Sequence, residues 1–388
     1  MGAAWHPEEE LAGHHIHLRG NFQYGGEDTP YLIPGEWVQR TQDHIVVTFN
    51  YRLNIFGFPN AAGLPANEEN PGLLDQRAAV EWVRDNIAAF GGDTKRIGLW
   101  GQSAGAISVG TYGYAYPDDP IVNTQLMDSG SEFFPAPILY TATADVSHSN
   151  FSFVAAHVGC GSLDPAAELA CMRKVDALVI ENFLQEYQDN LTQPIITFTP
   201  IPTLIGTNAQ DGNAFVPLGI NGVNDTLANA VTFGYFFCPA YKSAAQGQFT
   251  HTRGWILATV SRLASPVYRY LYSGNFTDIA PKPFLGAYHE SELPLIMGTY
   301  QLYGGAPTEF ERQTSALMQD SWLTFVASSG DPATMSAKVG WPEWTSVDNG
   351  LVRSFAPAPA VTATNVSLHN LEVLCPSLDQ PSGNGLTS

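Results

Sequence analysis

The stretch Arg96 to Ala115 constrains this chain more than any other: a short, mostly apolar run, RIGLWG, leads directly into Gly101-Gln102-Ser103-Ala104-Gly105 and then into the small-residue run AISVGTYGYA. An apolar strand that ends in G-x-S-x-G and is followed by a helix-compatible sequence is the pattern of a nucleophile elbow. There a serine sits on a tight strand-to-helix turn, and glycines two places on either side let backbone segments approach closely. The five-residue pattern alone is weak, and its context gives it weight. The turn also opens a helix at Ala104, whose backbone N–H is aimed where negative charge would develop on a substrate oxygen.

Around the elbow, apolar runs alternate with helical patterns, which predicts a mostly parallel central sheet with crossover helices on both faces. HIVVTFN (44–50) is β-branched and reads as a buried strand. PGLLDQRAAVEWVRDNIAAFGGD (71–93) reads as a helix burying Leu73, Leu74, Ala78, Val80, Val83 and Ile87, stopped by Gly91-Gly92. NTQLMD (123–128), PTLIGT (202–207) and VYRYLY (267–272) read as further strands. Residues 145–200 read as a helical insertion over the active site, and APAPAVTAT (356–364) as a surface loop. With no repeat and no linker, residues 1–388 are expected to form a single domain with an irregular leader over 1–13. Trp322, Trp341 and Trp344 are expected in its core.

Composition sets limits on partners. Hydrophobic residues make up 44% and charged residues 14%, so a sizeable core is expected. A net charge of −20 repels phosphate backbones and argues against nucleic acid as a partner. No run of 18 or more apolar residues occurs, so no membrane span is predicted. His6, Glu8, Glu9, Glu10, His14, His15 and His17 crowd the N-terminus; only HHIH alternates like a strand, and the group reads as part of a leader with no metal site. No phosphate-binding or dinucleotide motif is present, and no cofactor is implied.

Two features point to an oxidising, glycosylating route. Cys160 and Cys171 flank a short polar stretch whose closure would remove roughly 3 kcal/mol of unfolded-chain entropy, and Cys238 and Cys375 are the remaining pair. Five N-x-S/T sequons occur, at Asn150, Asn190, Asn224, Asn275 and Asn365. The first residues have neither a basic segment nor an apolar run and do not read as a signal peptide, so the expectation is a secreted protein whose natural beginning lies upstream of Met1.

The segments NYRLNIFGF, GLLDQRAAVEWVRDNIAAFGGD and RIGLWGQSAGA, with MDSGS, IGTNAQDG, GAYHESELPLIMG and SWLTFVASSGDP further on, resemble the type B carboxylesterase (cholinesterase-like) family, especially its fungal esterases. The resemblance runs from about Gly20 almost to the C-terminus. It implies the α/β-hydrolase fold, small-molecule ester substrates and a triad. Ser103 takes the nucleophile's place, and His289, in His289-Glu290-Ser291-Glu292-Leu293-Pro294, takes that of the general base. The imidazole must be neutral to accept the serine proton, so activity should fall as it protonates. Asp211, in IGTNAQDG, stands where the family usually has glutamate as orienting acid; Asp128, ending the strand after the elbow helix, is the alternative. The oxyanion donors correspond to Gly20, Asn21 and Ala104, with Asn21 replacing a glycine of the family's loop. The family's first sheet strands lie upstream of that loop, and their absence predicts an exposed sheet edge. Gln102 is neutral where cholinesterases carry a glutamate, which argues against a cationic substrate. Adhesion proteins of the same fold are the non-enzymatic relatives; they typically lack the serine.

Overall fold

The structure is a computed structural model that describes residues 13–18, 22–26, 29–116, 118–131, 145, 147–190, 207–208, 218–219, 222–223, 238, 266–280, 282, 285–302, 304–345, 350–372 and 375. Four parallel strands form the sheet that carries the elbow: β1 (Gly13–Leu18), β2 (His44–Thr48), β3 (Ile97–Gln102) and β4 (Thr124–Asp128), in the order β2-β1-β3-β4. A second sheet has β5 (Thr207–Asn208), β6 (Tyr270–Tyr272), β7 (Leu351–Ala358) and β8 (Val361–Ser367) in the order β8-β7-β6-β5, antiparallel only between β7 and β8.

Every residue of β3 is buried, because helices cover both of its faces. Ile97 and Leu99 pack with Val80 and Val83 of α2 (Pro71–Asn86) and with Val109 and Tyr112 of α3 (Ala104–Ala115). Trp100 lies on the opposite face with Met318, Trp322 and Val326 of α8 (Glu309–Ala327). Gly98 shares that face, where a Cβ would come within 2.7 Å of Val326 Cγ2. In α3 the buried residues include Ala104, Gly105, Ala106, Ser108, Val109, Gly110 and Tyr112, and such small side chains let the helix sit close to the sheet. Thr308 and Glu311 close a reciprocal capping box at the start of α8. From there α8 joins the two sheets, since Trp322 also packs on Tyr270, Trp341 and Phe355. Trp322, Trp341 and Trp344 are all buried.

Four sequence expectations need correction. The histidine run is no leader: Gly13–Leu18 is an inner strand paired with both β2 and β3. Parallel pairing uses backbone groups and tolerates a polar sequence that apolar-run reading passes over. In β2 only His44 is buried, and Ile45–Thr48 are half-buried because β2 is an edge strand of the four described. In α2, Leu74 and Ala78 face outward while Gln76 and Arg77 are buried. Those polar groups are satisfied there, Gln76 Nε2 donating to Ser108 Oγ at 3.0 Å and Arg77 to Tyr112 Oη at 2.8 Å and to the Asp119 carbonyl at 2.7 Å. Finally, 356–364 belongs to the β7–β8 hairpin. The register slips at this point and Ala356 has φ 47°, as a bulge would have, which also accommodates Pro357 within a strand.

Between β4 and the second sheet run α4 (Ser149–His157), α5 (Pro165–Met172) and α6 (Ala177–Asp189). Asp164 and Asp176 cap α5 and α6 by accepting from backbone N–H groups. Phe151, Val154, Met172, Ile180 and Leu184 from these helices share an apolar cluster with Phe22 and Ala104, which brings the three helices alongside the elbow.

Candidate active site

Ser103 has φ 56° and ψ −119°, a conformation that a side-chain-bearing residue adopts at a cost of order 1–3 kcal/mol. The surroundings hold it there. Its N–H donates to the Asp128 carbonyl at 2.9 Å, and its carbonyl accepts from Ile107 N at 3.0 Å. A Cβ on Gly101 would lie 2.2 Å from the carbonyl carbon and oxygen of Gly105, and one on Gly130 would lie 2.4 Å from the Ser103 carbonyl oxygen. Only glycines allow this closure. Ala104 follows as the first residue of α3, where backbone N–H groups fall outside the intrahelical ladder.

β1 brings in a second element. Leu18 is in register with Gly101, so the chain leaving β1 emerges at the same carboxyl edge of the sheet as the elbow. Gly20 and Asn21 lie outside the described residues. Phe22, immediately after them, is buried against Phe58, with ring centroids 5.1 Å apart, and shares its cluster with Ala104.

His289 is supplied from the other end of the chain. Ser291 N donates to the Tyr288 carbonyl at 3.0 Å and Leu293 N to the Glu290 carbonyl at 3.1 Å, which folds 288–293 into a tight turn. That turn opens α7 (Leu293–Met297), whose residues are all buried. His289 is itself buried, and its Nε2 is 3.1 Å from Nε2 of Gln102, the residue before Ser103. Gln102 reaches it because, along β3, Trp100 and Gln102 point to the face covered by α8, whereas Leu99 and Gly101 point toward α3. The sequence singled Gln102 out only for its neutrality; its contact with His289 needs the register of β3 against a turn 187 residues away.

Of the two acid candidates, Asp211 lies outside the described residues. Asp128 is in register with Gln102 at the end of β4, but its carboxylate turns into the aromatic core. Oδ2 accepts from Trp100 Nε1 at 2.6 Å. Burial nonetheless dominates and pushes the Asp128 carboxyl up to about 7. Since it ionises far more readily in the unfolded chain, the stability this neutral acid provides is present in acid and is lost as pH rises through about 7. Asp128→Asn is therefore expected to lose less thermal stability than the parent chain between pH 5 and pH 8, measured by thermal denaturation. Equal losses in the two proteins would show that Asp128 does not titrate in this range.

Both cysteine pairs are disulfides, Cys160–Cys171 with Cα atoms 5.7 Å apart and Cys238–Cys375 with 5.1 Å. Among the sequons, Asn190 and Asn275 are exposed and Asn150 is half-buried in the first turn of α4. Asn365 is exposed, but its side chain accepts from Arg353 and donates to the Gly340 carbonyl, each at 3.1 Å. Asn224 lies outside the described residues. No cluster of three or more metal-ligating side chains occurs among the described residues.

This arrangement, a strained serine between strand and helix with a buried histidine beside it, agrees with the comparison to known proteins. The sequence pattern described as the carboxylesterase family matches residues 16–232 and 221–366. The chain is 44% identical over 329 residues to chlorogenic acid esterase of Aspergillus niger, which covers 79% of this chain and 60% of that protein. It is 40% identical over 355 residues to secreted lipase 5 of Gibberella zeae, covering 83% of this chain and 64% of the relative. Against cholinesterase of Mus musculus the identity is 26% over 353 residues, with 85% and 54% covered. The chain thus spans less than two thirds of the length of these relatives. With the pattern met almost from end to end, the chain belongs to the carboxylesterase family and has its α/β-hydrolase fold.

Proposed function

We propose that this chain hydrolyses small-molecule carboxylic esters through an acyl-enzyme on Ser103. The observation that carries this reading is the positive-φ serine, wedged between Gly101 and Gly130 with His289 brought to its neighbouring residue. Strain of this kind persists where the surrounding structure over-determines it, and it puts the hydroxyl at the carboxyl edge of the sheet.

In the proposed reaction, Ser103 Oγ attacks the ester carbonyl carbon while its proton passes to Nε2 of His289. The oxyanion takes hydrogen bonds from the backbone N–H groups of Ala104, Gly20 and Asn21. Asp211 accepts from the other ring nitrogen and stabilises the imidazolium. When the tetrahedral intermediate collapses, the bond to the alcohol oxygen breaks and His289 returns the proton to it. Water then attacks the acyl carbon, gives its proton to His289, and Ser103 leaves reprotonated.

Two of the fungal relatives are called an esterase of chlorogenic acid and a secreted lipase, so the proposed substrates are neutral or phenolic esters in the extracellular space. Two disulfides support an oxidising compartment. Among the described residues no helix is long and apolar enough to cross a membrane.

The test is covalent labelling with a fluorophosphonate, together with turnover of nitrophenyl esters of graded acyl length and of chlorogenic acid. The expected result is a single label that Ser103→Ala removes. Folded protein that takes no label would instead be a silent or recognition-type relative.

A further inference from the structure

We propose that Gln102 is a positioning residue for His289: its side-chain amide donates to Nε2 and selects the neutral imidazole that carries its proton on Nδ1. The inference rests on the ester-hydrolase reading, and it assigns a task to a side chain that takes no part in the proton transfers above.

The geometry is specific. Gln102 is completely buried, with Nε2 3.1 Å from Nε2 of His289. At the other end of the amide, Oε1 is buried and has no hydrogen-bond partner among the described residues. Either orientation leaves one end of the amide unpaired there, the carbonyl as observed or the N–H donors if the amide is turned over. Turning the amide over would set that carbonyl against the imidazole, but only if Nε2 of the ring carried a proton. The observed orientation requires the opposite, a lone pair on Nε2. That is the tautomer a base needs in order to take a proton through Nε2.

A donor facing Nε2 needs a lone pair there, because a ring N–H at that place would meet an amide N–H. It also holds the base beside the serine before substrate arrives, and must give way when Nε2 takes the serine proton. A carboxylate at the same place would do the reverse, accepting from a protonated Nε2 and favouring the cation. The other titratable groups nearby among the described residues are Tyr288, Glu290 and Glu292 on the same turn and Asp128 in register with Gln102 on β4. They are common to the parent chain and the variants below, so differences among the three proteins report on position 102.

The test compares the full chain with Gln102→Met, which keeps bulk without a hydrogen bond, and with Gln102→Glu, which can only accept when ionised. Imidazole nitrogens are followed by NMR in protein labelled with 15N-histidine, with His289 assigned by the signal lost in His289→Gln. The acid limb of kcat/KM for a nitrophenyl ester is measured alongside. The parent chain is expected to show an unprotonated Nε2 and a protonated Nδ1. In Gln102→Met the share of neutral imidazole protonated on Nε2 should rise, and in Gln102→Glu, whose carboxylate accepts, the proton should sit on Nε2. The methionine variant separates the two amide orientations: if its proton stays on Nδ1 as fully as in the parent, the amide does not select the tautomer and the proposal is overturned. A protonated Nε2 in the parent overturns it equally. The NMR measurement needs no turnover, so an inactive parent would count against the ester-hydrolase reading while the assignment of Gln102 is still decided.

Discussion

Replacing His289 by alanine is expected to lower kcat for a nitrophenyl ester by a factor on the order of 10⁴–10⁶, with little change in KM. The size of the loss follows from how the groups depend on each other. Ser103 Oγ is a weak nucleophile while it holds its proton, and His289 is the base proposed to take it. Losing the imidazole thus disables the serine as thoroughly as removing the serine would, and Ser103→Ala/His289→Ala should be no slower than either single variant. What remains would come from substrate binding and the backbone donors around Ala104. Asp211→Asn should follow with a loss on the order of 10⁴-fold, because an amide leaves the imidazole in the wrong tautomer. Steady-state kinetics on purified protein with unchanged circular dichroism reads all of these. A His289→Ala enzyme within tenfold of the parent would mean that another group accepts the serine proton.

The second large effect comes from adding one methyl group. Gly101→Ala places a Cβ 2.2 Å from the carbonyl carbon and oxygen of Gly105, far inside van der Waals contact. Neither partner is a flexible side chain. Both belong to the backbone of the first turn of α3, so the helix must move away from β3 or the strand must bend. Overpacking of this kind costs about 1–3 kcal/mol or more. Displacing the serine by only an ångström would reduce turnover by about a hundredfold. Gly35→Ala is the matched control, since nothing lies within 4 Å of its added Cβ. As Gly35 opens α1 (Gly35–Thr41), that change is expected to be neutral or to stabilise by a few tenths of a kcal/mol. Melting temperature and kcat, measured for both variants, give the comparison. Equal behaviour would show that the elbow is not closed as tightly as this geometry requires.

Sequence reading succeeded where structure is decided locally. The strand, turn and helix around Ser103 occupy consecutive residues, and each of them constrains the next: apolar residues for a strand covered on both faces, glycines for close approach, small residues for a helix on the sheet. The helical character read over 145–200 is met by three helices after β4, and the structure adds that Asp164 and Asp176 cap two of them. Elements failed to be read where their own composition misleads. GHHIHL reads as part of an N-terminal leader, APAPAVTAT reads as a loop, and the buried side of α2 carries Gln76 and Arg77. In each case partners distant in sequence supply what the residues lack: β2 and β3 pair with the histidine strand, β8 pairs with the proline-containing one, and Asp119 with Tyr112 satisfies the arginine.

The sequence by itself determined the elbow, the alternation of strands and helices, and which serine and histidine deserve attention. Tertiary structure alone decided that His289 meets Gln102 across 187 residues, and that Asp128 spends its carboxylate on Trp100. The reason is that strand parity and sheet register fix on which face each side chain emerges, and register belongs to pairs of strands rather than to either one. A run of residues states what it can become; its neighbours in space settle what it touches.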